Sequence, residues 1–333
     1  MVEMRHAVTA GLEPSRPDTA AAVLIVEDEP ELRELLHEHL MGLGYRVTTV
    51  VSAEAALATL EKAPPDLVLT DVMLGGMSGV ELCAQIKSDP RFQLIPVVIL
   101  TATSDLEVRV AGLAAGADDF FAKPCDPVEL KTRVAMLLRV KSMVDEHDRA
   151  ESVIVTSLGL TIEARDPYTA GHCHRLASQA VALGAELGVG HQLRRDLMLS
   201  GFLHDLGKVA VSDTILLKPG PLTADERARI RVHPVVGAEI VQALRTLDGV
   251  RPIIRHHHER MDGSGYPEGL TGLAIPLGAR IMAVVDVYDA LRTERSYKPA
   301  MPHEEAIATL VRETEEGAWD PQIVAAFITL TRG

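Results

Sequence analysis

The sequence predicts two domains, an α/β doubly wound five-stranded parallel sheet followed by an all-α helical bundle. Three observations point there. At 333 residues the chain is too long for one ordinary core and suits two domains of about 120 to 190 residues. Short apolar runs alternate with amphipathic stretches from Ala21 to about Val140, whereas beyond about residue 150 strand signals are few and amphipathic helical stretches dominate. Aromatics make up only 3% of the chain, so Leu, Val, Ile and Ala must fill the cores, which favours stacked helices and a parallel sheet over a sandwich.

The apolar runs of the first half are VLIVE from Val23, YRVTTV from Tyr45, DLVLT from Asp66, PVVIL from Pro96 and DDFFAK from Asp118. Between them lie helical stretches such as PELRELLHEHLMGLG, where Leu32, Leu35, Leu36, Leu40 and Leu43 recur at helical spacing. Ligands of such a sheet sit beyond the carboxyl ends of its strands. Strand one ends in Glu27, Asp28 and Glu29, strand three in Asp71, strand four in Thr101, and strand five in Lys123 followed by Pro124. Taken singly, each acid could merely cap the helix that follows. Taken together, carboxylates crowded into one crevice repel unless a hard divalent cation joins them, and oxygen donors suit Mg²⁺. Asp71 could then attack phosphorus, with Lys123 and Mg²⁺ offsetting charge on the phosphoryl oxygens.

This set resembles the response-regulator receiver family, with its flavodoxin-like fold, over the whole of residues 21–140. The resemblance implies that Asp71 accepts a phosphoryl group from a sensor histidine kinase. It also implies that Glu27, Asp28 and Asp71 hold Mg²⁺, that Thr101 and Lys123 sense the acyl phosphate, and that Phe120 is the switch aromatic.

No glycine interrupts the chain from Asp126 until Gly159, and no proline lies between Pro127 and Pro167, so the last helix of the first domain is expected to run into a helical connector ending near residue 165. Val134, Leu137, Val144, Val155, Leu158 and Ile162 form an imperfect heptad seam, broken by Lys141, Asp148 and Glu151. The seam fits either a homodimer or a helix packed on its own domain.

Nine of the thirteen histidines follow residue 170. His172, the pair His204–Asp205, His233, the run His256, His257 and His258, and Asp286 are far enough apart to stand on separate helices or loops, and facing helices are where imidazole–carboxylate metal centres are built. Without thiolate donors the set points away from structural zinc and toward a hydrolytic or redox-capable ion, iron or manganese first, with zinc or nickel also open. Asp205 could bridge two ions, with His172, His204 and Asp286 around one and His233, His257 and His258 around the other. Successive residues of a helix point about 100° apart, so one of the three adjacent histidines, His256, is expected to face elsewhere.

The segments DPYTAGH, HDLGK, ILLKPGPLT, HP, HHHERMDGSGYP and VVDVYDALRTERSYKPAM occur in this order and resemble the HD-GYP subfamily of HD-domain phosphohydrolases across residues 150–333. The resemblance implies the seven ligands His172, His204, Asp205, His233, His257, His258 and Asp286. It places Lys208, Asp289, Arg295 and Lys298 near the substrate phosphates, and Gly265, Tyr266 and Pro267 in the signature loop. Some members carry a Glu four residues before the first ligand, allowing a third metal; Tyr168 stands there, so two ions are expected, with Glu163 nearby. The implied reaction is hydrolysis of cyclic di-GMP to pGpG or GMP by two-metal-activated water at Asp205, with Lys208 as a candidate proton donor, modulated by phosphorylation of Asp71. A different cyclic dinucleotide such as cyclic GMP-AMP, or a non-catalytic regulator binding a nucleotide or a diguanylate cyclase, remains as the alternative.

Composition limits the rest. A formal net charge of -14 disfavours broad attraction to nucleic acid or anionic membrane, and no helix-turn-helix is apparent. Three scattered cysteines, Cys83, Cys125 and Cys173, form no disulfide framework. Residues 1–20 read as a loose tail without a signal peptide, and no apolar run approaches about 18 residues. A cytoplasmic protein is expected.

Overall fold

The computed structural model describes residues 20–102, 106–165, 171–294 and 300–332 and divides into two compact units, Met1–Arg149 and Ala150–Gly333. In the first, β1 (Ala22–Val26), α1 (Pro30–Gly42), β2 (Arg46–Val50), α2 (Ala53–Lys62), β3 (Leu67–Asp71), α3 (Gly79–Ser88), β4 (Val97–Thr101), α4 (Leu106–Ala114) and β5 (Asp119–Ala122) alternate. The strands lie in the order β2-β1-β3-β4-β5, all parallel. Strands β3 and β4 are buried along their whole length, so they read as continuous apolar runs with no polar face. Alternate residues feed two cores: Val23, Ile25, Leu67, Leu69, Val98 and Leu100 meet Leu36 and Leu40 of α1. Leu24, Val26, Val68, Val97 and Ile99 meet Leu60 of α2 and Leu82 and Ile86 of α3. Each fully buried Leu or Ile contributes about 1.5–3 kcal/mol. Short polar caps turn the chain after the strands: Ser52 accepts from Ala55 N–H at the start of α2, and Ser78 and Glu81 form a capping box on α3.

Helix α5 runs from Pro127 to Glu163. Val134 is buried in the first unit's core and Leu137 packs against it, while Val155 and Ile162 are buried in the second unit's core. Four of the six positions assigned to a seam are thus taken up by intramolecular packing, which revises the dimer reading at those residues. Apolar side chains exposed on α5 are mostly others, Val128, Met136, Val140, Met143, Val153 and Ile154, together with Leu158 of the original six.

The second unit is helical: α6 (His172–Glu186), α7 (His191–Leu203), a 3₁₀ turn (Leu206–Ala210), α8 (Asp213–Leu216), α9 (Ala224–Ile230), α10 (His233–Val241), α11 (Arg251–His256), α12 (Leu277–Arg292), α13 (His303–Glu315) and α14 (Pro321–Arg332), with two further 3₁₀ turns. Leu176, Ala180 and Leu183 of α6 pack with Leu197 of α7, Ile281 and Val284 of α12, Leu310 of α13 and Phe327 of α14. No helix among the described residues is long and apolar enough to cross a membrane.

Candidate phosphoacceptor site and metal centre

In the first unit the β1, β3 and β5 carboxyl ends bring the expected residues together. Glu27 is fully buried, Asp71 nearly so and Asp28 exposed, and one donor oxygen from each lies within 4.8 Å of the others. The Lys123 ammonium reaches Asp71 Oδ2 at 2.7 Å and Glu27 Oε2 at 2.8 Å. Burial pushes the Glu27 carboxyl above its usual range and the Asp71 charge adds to the rise, although the Lys123 hydrogen bond opposes it. Burial pulls the Lys123 amine down, but its bonds to Asp71 and Glu27 outweigh that and hold it above its ordinary value. Thr101 is buried at the end of β4. The Phe120 ring packs so closely on α4 that a Cβ on Gly112 would stand 2.6 Å from it.

In the second unit four elements converge. Asp205 follows α7 directly, and its Oδ2 lies 3.3 Å from His204 Nε2 while Oδ1 lies 3.3 Å from His233 Nε2. This juxtaposition needs glycine at 207, because a Cβ there would meet the His233 carbonyl oxygen at 1.9 Å. His172 Nε2 lies 3.3 Å from His204 Nε2 and 3.6 Å from Asp286 Oδ1. His233 Nε2 lies 3.5 Å from His257 Nε2, and the His257 and His258 rings are 4.1 Å apart. Two donor sets result, His172–His204–Asp205 and His233–His257–His258, each with ligand atoms within 4.8 Å of one another.

The imidazoles are turned inward by their far nitrogens. Nδ1 of His204, His233 and His257 donates to the carbonyls of Gly201, Ile230 and Ile254, each three residues earlier. His172 Nδ1 instead meets Asp289 Oδ2 at 2.7 Å. Fixing the outer nitrogen presents Nε2 as a lone-pair donor, the arrangement metal sites use. Burial, reinforced by neighbouring imidazoles, holds His257 well below its usual value and His258 down to about 3. His233 is also lowered by burial. For His204, burial is outweighed by Asp205 and the value rises. Despite its burial, Asp205 is held well below the usual carboxylate range by Lys208 and His204. Imidazole nitrogens turned toward a carboxylate, with no thiolate, fit divalent ions of the borderline class.

Lys208 Nζ lies 2.6 Å from Asp205 Oδ2. Tyr266 stacks on His258 at 4.8 Å between centroids, and its hydroxyl is pushed above its normal range by burial and by the charges of Asp205 and Asp286. The loop holding it permits no side chain at Gly265, where a Cβ would be 2.4 Å from the Arg260 nitrogen. His256 points away from both donor sets, as its position in the helix implied, toward Glu259 and Glu268. Glu259 accepts the Glu268 and Leu270 N–H groups and Glu268 pairs with Arg255, so this group pins the loop.

Asp289 requires a correction. Expected beside substrate phosphates, it is 3% exposed, with its oxygens on His172 Nδ1 and the Arg175 guanidinium at 2.6–2.9 Å. It stands behind His172. Arg295, Lys298 and Tyr168 lie outside the described residues. Glu163, noted in sequence only as lying near the first ligand, accepts from the N–H groups of His172 and Cys173; Arg175, and Arg231, 5.0 Å above the Tyr266 ring, were not singled out in sequence. Only Arg175, one turn after His172, carried a spacing signal.

A parallel sheet with an acid–lysine crevice, followed by a helical unit with a histidine–aspartate centre, defines a response regulator whose output domain is a divalent-metal-dependent HD-type hydrolase. Family models match the response regulator receiver domain over residues 23–135 and the HD domain over residues 159–323. The chain is 36% identical over 340 residues to a probable cyclic di-GMP phosphodiesterase of Vibrio cholerae, covering 92% of this chain and 77% of that protein. It is 33% identical to the cyclic di-GMP phosphodiesterase response regulator RpfG of Xanthomonas campestris, covering 97% and 91%. A 3′3′-cGAMP-specific phosphodiesterase 3 of Vibrio cholerae is 35% identical over 198 residues, covering 60% of this chain and 43% of that one. The chain belongs to the family of response regulators with a receiver domain and an HD-GYP phosphohydrolase domain.

Proposed function

We propose that the second unit hydrolyses a 3′,5′-phosphodiester of cyclic di-GMP to linear pGpG, and to GMP on a second cleavage, under control of phosphorylation at Asp71. The observation that carries this reading is Asp205, whose two oxygens face two separate histidine sets. His172, His204, Asp205 and Asp286 would hold one divalent ion, and His233, His257, His258 and Asp205 a second. Two such ions, iron or manganese by the donor set, would supply Lewis acidity toward the diester and a water of lowered pKa. The chain's own groups do the rest. Lys208 neutralises a phosphate oxygen and can give the departing ribose oxygen its proton. Tyr266, stacked on His258, offers an aromatic face and a protonated hydroxyl to the ligand. Arg295 and Lys298 are assigned to the remaining phosphate charge.

In the first unit, Glu27, Asp28 and Asp71 would hold Mg²⁺, and Asp71 would accept the phosphoryl group from a histidine kinase while Lys123 offsets its charge. Thr101 and Phe120 would report the change to α4 and β5. Homologues named for 3′3′-cGAMP favour a second reading, a mixed cyclic dinucleotide as substrate.

The test is hydrolysis by anaerobically purified protein supplied with iron or manganese, beside a His204→Ala, Asp205→Ala double variant, with cyclic di-GMP and 3′3′-cGAMP assayed in parallel. Metal-dependent release of pGpG or GMP, absent in the variant, is expected. Tight binding without product under any metal would replace the enzyme with a non-catalytic regulator.

A further inference from the structure

Helix α6 begins at the ligand candidate His172, and its N-cap, Gly171, adopts a left-handed conformation (φ 73°) with no side chain to receive the first N–H groups. Glu163 receives them instead. Its Oε1 accepts from His172 N–H at 3.2 Å and its Oε2 from Cys173 N–H at 3.3 Å. One carboxylate thereby satisfies two otherwise orphaned donors and sets negative charge at the positive end of the helix.

Glu163 is also the last residue of α5, and that helix end is firmly seated. Val155 and Ile162 are buried with Cys173, Ala177, Leu199 and Phe202. At Gly159 a Cβ would lie 2.4 Å from the Phe202 carbonyl oxygen, so the approach of α5 to α7 depends on glycine. Glu163 further lines a small cavity together with His172, Asp205 and Lys208.

We propose that Glu163 is a positioning residue for His172. Asp289 fixes the imidazole at Nδ1, and Glu163 fixes the backbone that carries it, so the ligand is set from two sides. The inference rests on the metal-centre reading above and deepens it.

The test uses the full chain, stripped of metal and titrated with Mn²⁺ alone. Wild type is compared with Glu163→Ala, Glu163→Gln and a control, Thr161→Ala, on the exposed side of the same helix turn. Bound metal is measured by equilibrium dialysis, and amide hydrogen exchange is followed on the peptide beginning at Gly171. Glu163→Ala is expected to weaken binding of one ion by about tenfold or more and to speed exchange at His172 and Cys173, with helical content retained. Glu163→Gln, which keeps one acceptor oxygen, should fall between Glu163→Ala and wild type; Thr161→Ala should match wild type. Unchanged Mn²⁺ affinity and exchange in Glu163→Ala overturns the proposal, and if that variant does not fold, wild-type behaviour of Glu163→Gln overturns it equally. A wild-type chain that takes up no Mn²⁺ overturns the metal centre with it. Failure to cleave cyclic di-GMP, by contrast, would sink the proposed substrate and leave this result standing, because no nucleotide enters the experiment.

Discussion

The ammonium of Lys208 lies 2.6 Å from Oδ2 of Asp205, the carboxylate whose two oxygens face His204 and His233. Lys208 thus compensates a buried charge that a bound cation would also compensate. On the proposed reading, a cation there would free the lysine for a substrate phosphate. Lys208→Met is therefore expected to keep its metal content and lose about 10²- to 10³-fold in kcat. Metal analysis alongside turnover checks this; loss of metal would place Lys208 among the groups that hold Asp205 instead.

Asp205 and His258 should differ in how much they remove. Asp205 touches both histidine sets, whereas His258 belongs to one. Asp205→Ala is expected to bind neither ion well, and His258→Ala to keep the ion at His172 and His204. Plasma emission analysis after dialysis against Mn²⁺ gives the ratio, and equal losses from the two variants would refute a bridging carboxylate.

The limits of sequence reading follow from the same geometry. The sheet was legible because β3 and β4, covered on both faces, are apolar up to their carboxyl ends, where Thr70, Asp71 and Thr101 stand. The clustering of His172, His204, Asp205, His233, His257 and His258 was legible because imidazole and carboxylate recur at intervals that suit separate helices. Asp289 was misassigned because it follows Asp286 by three on α12, and that spacing puts both on one side of the helix. Nothing in it tells a group facing the ions from one behind His172. The α5 seam left two readings open for a similar reason: each unit's core takes apolar residues at helical spacing from its own stretch of the helix, a pattern close to a heptad.

On the metal-centre reading Asp289 acts through His172, to which it is hydrogen-bonded, so its removal should leave substrate affinity alone. Asp289→Asn keeps the shape but withdraws the charge that Nδ1 and Arg175 share. Metal affinity or kcat is expected to fall by about 10- to 100-fold with KM little changed. A rise in KM at constant kcat would restore the residue to the substrate.

Glu27 offers a stability test with a defined sign. Its folded-state pKa is raised above 4.5, chiefly by burial. The ionised form is therefore disfavoured in the fold: the group's contribution is fully favourable below its unfolded pKa and is lost as pH rises through the folded value. Glu27→Gln removes that penalty. In Mg²⁺-free buffer at pH 7 the variant's first unit should be more stable by up to about 1 kcal/mol, and the gap should close as pH falls toward 4.5 and wild type takes up its proton. Adding Mg²⁺ should stabilise wild type and leave the variant nearly unmoved, since the cation compensates the buried Glu27 charge, whose burial Lys123 only partly offsets. Calorimetry across pH, with and without Mg²⁺, reads both effects. A variant less stable than wild type at pH 7 without Mg²⁺ would mean that the Glu27–Lys123 bond at 2.8 Å outweighs the burial of the charge.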